Sequence, residues 1–527
     1  MIDNSAFVPY AFLEEHVKLS DFVENARDGS MVHETLVWQL ASILFDDIQI
    51  PKGAEDDPVI VDRIRKDKLS RFWQSLVADA ASNKVALART REEKAIGLLS
   101  GYKVADACAA LIDGKDYHLA SLVARIGVKE SSKQDIKDQL RDWKKTHVLA
   151  EFSQPVRAIY ELLAGNCCVC EGEKGPVEDR IESFTISTRF ELDWRRSFGL
   201  RLWYGILKQD HIEEAITLFR DDLNNGMETA KPAAWYVEQN IPPLWTDERR
   251  DQREDLLWSL LKLSAFDNTD LDAIIAPEHS SLSPVDFRLS WQLGQALAHI
   301  GASDFGHRYA LIADRLTISF AAQLTSEGSW LDAAFVLLHI QVEDARSVAL
   351  QAHLGHNARY IGGEDSEVFK KLVTTYHIPE QWVWEAKALY QRSVVKDPRK
   401  EVEFLVKAGT FEEAHRTFRQ EVAPKTIIEK DYDTLRTLLA GFKGQEDSIA
   451  NWHLGGEIYQ DFLDLLEAQK RGHPIEDDLI DRLLSGLPAV VQEARCPSFL
   501  ETVAAETISG VVAKVVVSQG RTGKVCL

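Results

Sequence analysis

Three cysteines within four residues, Cys167-Cys168-Val169-Cys170, form the densest group of metal-ligating or nucleophilic side chains in the sequence. A structural zinc site takes four Cys or His ligands, usually as two spaced pairs. No second pair stands at a suitable distance and His147 is isolated, so the cluster is read as an ordinary helix end. His33-Glu34 lacks the second histidine of the zincin spacing. Gly520-Arg521-Thr522-Gly523-Lys524 places two residues between its glycines and Val525 after its lysine. A phosphate-binding Walker loop needs four, and then Ser or Thr. Gly301-Ala302-Ser303-Asp304-Phe305 misses the final glycine of a nucleophile elbow. Asp46-Asp47 and Asp221-Asp222 are acidic pairs of the kind a solvated helix face carries. No catalytic, cofactor-binding or metal-binding constellation survives, and the chain is expected not to be an enzyme.

Composition points the same way. There are 83 acidic and 61 basic residues in 527, a formal net charge of −22. Nucleic-acid binding normally needs a basic footprint, and an anionic membrane surface would repel such a chain. Neither direct nucleic-acid contact nor membrane insertion is expected, and protein partners are. Six scattered cysteines fit a reducing compartment better than a secreted disulfide framework. The N-terminus shows no signal peptide, and no run approaches the ~18 apolar residues of a spanning helix.

The elements that could position anything are helices. The stretch Asp193 to Tyr204 is the most informative of them. At about 100° per residue, Trp194, Phe198, Leu202 and Gly205 share one face, while Leu200, Trp203, Tyr204 and Leu207 cover the other. A helix apolar on both sides is buried between other helices. Gly199 and Gly205 each cost about 1 kcal/mol of propensity, so a neighbour is expected to approach closely there. Arg201 lies within the Trp194 face and therefore requires an acidic partner or a path to water.

Helix follows helix along the rest of the chain, beginning with Glu34–Phe45. Asp116-Tyr117, Asp210-His211, Ser329-Trp330 and Thr410-Phe411 each read as a helix cap followed by a ring. Glu213, Asp332 and Glu413 stand three residues after their caps, the capping-box spacing. Ala120, Ala215, Ala333 and Ala414 follow as small residues that admit a paired helix. The caps are unevenly spaced, so the architecture is an irregular stack of antiparallel helix pairs, not a fixed-period repeat. Polar breaks fall at residues 50–58, 171–176, 241–243 and 360–366. The best strand candidate, Val511–Val517, is compatible with a last helix. Thirteen tryptophans include Trp382 and Trp384 on opposite helix flanks, read as packing between stacked helices.

Three stretches then resemble one family: Glu34–Asp46, Trp194–Gly205 and Gly328-Ser329-Trp330-Leu331-Asp332-Ala333-Ala334. Together they are similar to the helical scaffold nucleoporins made as the C-terminal product of a self-cleaving precursor. These are the ninety-six type of animals and the one-forty-five C type of fungi. The resemblance implies an all-α, folded-back α-solenoid of the ancestral coatomer type, with trunk, crown and tail. By position, the trunk would combine residues 31–104 and 331–400, the crown would span 105–330 and the tail 401–527. Residues 1–30 would be an N-terminal extension, too short for the family's propeller-completing strands, so a truncated or engineered start is expected.

The resemblance further implies a structural subunit of the Y-shaped coat complex at the nuclear pore and nuclear envelope, supporting mRNA export and protein import. Implied partners are a second helical nucleoporin met through the crown and a seven-bladed propeller shared with the COPII coat. Other helical nucleoporins of the complex would sit at the trunk or tail. A helical edge subunit of a vesicle coat is the alternative with the same fold. Crown helices without a next repeat to cover them are expected to form the interface. Those around Leu111–Val123, Ile212–Phe219 and Leu256–Leu263 are apolar at helical spacing and close to polar loops. They make Leu111, Leu122, Ile216, Leu218, Phe219, Leu257 and Leu260 the candidate contact residues.

Overall fold

Residues 1–3, 7–27, 32–48, 58–174, 180–242, 245–266, 274–301, 306–493 and 499–518 are described in a computed structural model. About 71% of the chain is helical, far above the roughly one-third helix of an average globular domain. The all-α reading holds, and successive helices pack as neighbours, as a stack of helix pairs requires. The expected loop at 50–58 and the Gly520–Lys524 motif lie outside the described residues, apart from Pro58, which opens a helix.

The chain divides into two compact units, residues 13–320 and residues 1–12 with 321–527. In the first, the Val32–Phe45 helix packs on Leu19–Arg27 and again on the distant Leu256–Ala265 helix. Pro58–Leu87 packs on Trp194–Leu200, so the chain turns back on itself within this unit. Aromatic rings run through the centre. Trp73 meets Phe198 at 4.8 Å between centroids, Phe198 meets Phe219 at 5.8 Å, and Phe219 meets Trp258 at 5.1 Å. Such edge-to-face pairs add about 0.5–1.5 kcal/mol each beyond area burial. Glu34 is buried and takes a two-pronged contact from Arg288, which ties Val32–Phe45 to the Arg288–His299 helix.

Within the second unit, helices follow one another from Trp330–Leu337 and Glu343–Asn357 to Phe499–Ser518. Trp382 and Trp384 are both buried: Trp382 against Phe7 at 5.6 Å, Trp384 between Phe369 and Phe404. Residues Val511–Val517 lie inside the Phe499–Ser518 helix.

Three local expectations need correction. The cysteine cluster is not a helix end: Val169–Cys170 is a short strand pairing antiparallel with Phe184–Thr185, beyond the Gln154–Leu163 helix. A second pair, Ile2–Asp3 with Tyr10–Ala11, was not anticipated, and Ala11 N–H extends it by donating to the Leu338 carbonyl at 3.0 Å. Among the four expected caps only Asp116 accepts from its helix, at Leu119 N. Helices do begin after Ser329 and Thr410, but the Thr410 hydroxyl donates backward to the Leu405 carbonyl. The cap of the Ile212–Asn224 helix is His211, because the Asp210 carboxylate accepts from Leu207 N instead. The four alanines after these starts are all buried.

Candidate protein-interaction surface

The Trp194 element organises one face of the 13–320 unit. Its helix runs Trp194–Leu200 and then widens into a π-turn over Arg201–Gly205, closed by Ile206 N–H on the Arg201 carbonyl at 3.2 Å. Gly199 is required: a Cβ there would stand 2.7 Å from the Trp203 ring and 3.3 Å from Trp73. The close approach is therefore made mainly by a side chain four residues on, and secondarily by the neighbouring helix. Trp203 uses that space to stack on Tyr102 and donate to Ser70 Oγ at 2.9 Å.

Arg201 is 1% exposed and finds the acids its position demands. Its Nη2 donates to Asp222 Oδ2 at 2.6 Å and to Glu228 Oε2 at 3.0 Å, and its Nη1 reaches Ser197. Glu228 is also filled by the hydroxyls of Ser187 and Ser197 and by the amides of Thr229 and Ala230. Burial pulls the Arg201 guanidinium down, but Glu228 and Asp222 outweigh it and hold it above its ordinary value. Burial likewise pushes Glu228 up, and Arg201 with the two serines brings it below the usual carboxylate range. A buried charge group this fully hydrogen-bonded fixes geometry; it has no free valence for chemistry. Burial holds the three clustered thiols in the protonated form: it pushes Cys167 and Cys168 up to about 12 and Cys170 up as well, whereas reactive thiolates need lowered values.

Over this base lies the Glu130–Lys145 helix. Lys133 is buried along its stem and donates Nζ to the Gly205 carbonyl at 2.9 Å, satisfying the end of the π-turn. Lys133 is shared by two clefts. One of about 470 Å³ is lined by Gly205, Ile206 and Leu218 together with Glu130, Asp210, Glu213 and Glu214. A smaller one of about 130 Å³ is lined by Leu122, Ile126, Ile136 and Leu163 together with Arg125, Lys129, Ser132 and Asp135. Further along the helix, Lys137, Leu140, Arg141 and Lys144 face Met227 across a third cleft of about 590 Å³.

The seven candidate residues separate sharply. Leu111, Ile216, Phe219, Leu257 and Leu260 are all fully buried in the core of this unit. Leu218 is 44% exposed and Leu122 is half-buried. These two line neighbouring clefts that share Lys133. Sequence reasoning missed Lys133 and the exposed Met227 beside Glu228. The turn residues around Gly226 gave no hint of either, although Arg201's need for an acid pointed to something like Glu228.

The family model described as Nuclear protein 96 (Nup96) matches residues 93–390, more than half of the chain and the whole of this surface. The chain belongs to the Nup96 family. It is 35% identical over 86% of its length to nucleoporin NUP145 of Chaetomium thermophilum, covering 22% of that protein. It is 31% identical over 94% of its length to nucleoporin nup189 of Schizosaccharomyces pombe, covering 27%. Against the nuclear pore complex protein Nup98-Nup96 of Drosophila melanogaster it is 27% identical over 81% of its length, covering 21%. The chain thus spans about a quarter of the length of the curated relatives it matches. As a Nup96-type nucleoporin it is a component of the nuclear pore.

Proposed function

We propose that this chain is a non-enzymatic scaffold subunit of the Y-shaped coat of the nuclear pore, supporting mRNA export and protein import through protein contacts. In this reading residues 105–330 act as the crown and meet a second helical nucleoporin. The trunk, residues 31–104 and 331–400, and the tail, residues 401–527, serve other helical subunits, and trunk contacts also serve the seven-bladed propeller.

The observation that carries the crown assignment is the surface centred on Lys133. An exposed leucine and a half-buried one flank a lysine that is itself locked to the core. Ridges and clefts of this kind accept the side chains of an opposing helix. With a formal net charge of −22, long-range attraction to another acidic scaffold is unavailable, so the contact must rest on burial.

Leu218→Glu should abolish co-elution with the helical partner while shifting the urea midpoint little, since exposed substitutions usually stay within about 0.5 kcal/mol. Leu260→Glu should instead unfold the unit, because its side chain has no exposure. Raising salt past about 0.3 M should weaken the complex little, since screening leaves apolar contacts intact. A natively folded Leu218→Glu chain that still binds would move the interface elsewhere.

A further inference from the structure

The second unit carries a cleft of about 910 Å³ that the scaffold reading does not use. One wall is the Phe411–Thr417 helix with the π-turn Phe418–Val422 that joins it to the Ala423–Glu429 helix; the other is the turn from Gln445 to Asn451. Arg419 projects from the π-turn into this space. It is half-buried, its Cδ lies where a side chain on Gly455 would go, and it makes no hydrogen bond or ion pair among the described residues. The other charges on the walls do not pair with it. Glu413 is occupied by Arg392 at 2.7 Å and by Arg416 at 3.3 Å, and Glu412 stands at the exposed lip. The neighbouring His415 offers nothing either, because its Nε2 accepts from the Gly456 amide at 3.0 Å. Opposite lie the side-chain amides of Gln445 and Asn451, both exposed and without hydrogen bonds to described residues, with Phe411 and Ala450 as apolar contacts.

We propose that this cleft receives a carboxylate side chain from an acidic peptide segment of a protein partner, clasped by Arg419 and flanked by the amides of Gln445 and Asn451. A guanidinium fork matches a carboxylate in geometry and charge. The choice of carboxylate over phosphate follows from the walls. One uncommitted cation balances one negative charge, whereas Glu412 on the same wall would repel a dianion.

The test is an array of short peptides, each carrying one glutamate among neutral residues, beside its glutamine and phosphoserine counterparts, probed with the full chain. A subset of glutamate peptides should be retained and their glutamine counterparts released. Arg419→Gln should lose about tenfold in retention, as expected for a charge-assisted contact, and Arg419→Lys should lose less. Asn451→Asp provides a variant that leaves the packing of Arg419 untouched. Asn451 sits in a left-handed turn with φ 60°, which Asp tolerates, so the added charge should weaken retention with the melting temperature unchanged. Retention indifferent to the glutamate, unaltered retention by a natively melting Arg419→Gln chain, tighter binding of the phosphoserine peptides, or no retention at all would each overturn the proposal.

Discussion

Arg201 and Arg419 both lie in π-turns: Arg201 in Arg201–Gly205, which ends the Trp194–Leu200 helix, and Arg419 in Phe418–Val422, which runs directly on into the Ala423–Glu429 helix. Widening a turn re-aims a side chain relative to the regular helix, which is why such turns gather at functional positions. The surroundings then decide the outcome. Around Arg201 a loop brings Glu228 and the next helix brings Asp222, so the cation is spent inside the fold. Around Arg419 the nearby acids are committed to other arginines or left at the rim, and the cation faces a cleft. One backbone device thus yields a structural tie in one unit and an open recognition group in the other. The difference lies in whether a non-local segment delivers a carboxylate.

Arg201 is where a substitution should cost most. Arg201→Met would leave Glu228 buried with its countercharge gone, and losing one partner of a buried pair costs about 3–5 kcal/mol. A urea midpoint close to that of the unaltered chain would show that the cluster is not a tie. Trp203→Ala tests the packing that places it. The ring is 7% exposed and fills the space over Gly199, so its loss should cost about 3–5 kcal/mol by cavity creation. Restoring part of that stability with Gly199→Ala in the same chain would confirm that the two positions share one volume.

How much of this could be read from residue order differs by element. Helical periodicity located the Trp194 element and Arg201's demand for an acid, because both follow from which residues share a face. It could not name Glu228, which arrives across a turn with no periodicity of its own. The Cys167–Cys170 stretch was misread as a helix end because a two-residue strand is too short to alternate, and its pairing with Phe184–Thr185 is non-local. Apolar spacing alone also merged core and surface. On the Ile212–Asn224 helix, Ile212, Ala215, Ile216 and Phe219 form the buried stripe, and Leu218 falls outside it. A strict i, i+3, i+4, i+7 reading would have separated Leu218 from its neighbours. The Arg419 cleft left no sequence signal, since an unpaired arginine looks like any other until its surroundings are known.

Smaller effects sharpen the contrast through His415. Burial, aided by Arg419, pushes its imidazole down to about 4, against about 6.5 in an unfolded chain. The unfolded state therefore takes up the proton first. Stability is complete above about pH 6.5 and is lost as pH falls toward 4. Protonation would also displace the Gly456 amide from Nε2. His339, lowered to about 4 as well, adds a second contribution. His415→Gln should remove the first alone, reducing the acid-induced loss between pH 7 and 5 by on the order of 1–2 kcal/mol.

Arg419→Gln is expected to do least at neutral pH. With no ion pair to break, its cost should stay within about 0.5 kcal/mol, in contrast to Arg201. It should nevertheless alter the acid limb, because removing the cation beside His415 raises the folded imidazole toward its ordinary value. The gap between folded and unfolded values then narrows, and less stability is lost on acidification. Thermal melts of the two chains at pH 7 and pH 5 separate the possibilities. If Arg419 were a structural tie like Arg201, the substitution would lower the melting temperature strongly at both pH values. If it is the open cation of a recognition cleft, the two chains should melt nearly together at pH 7, and the substituted one should fall less at pH 5.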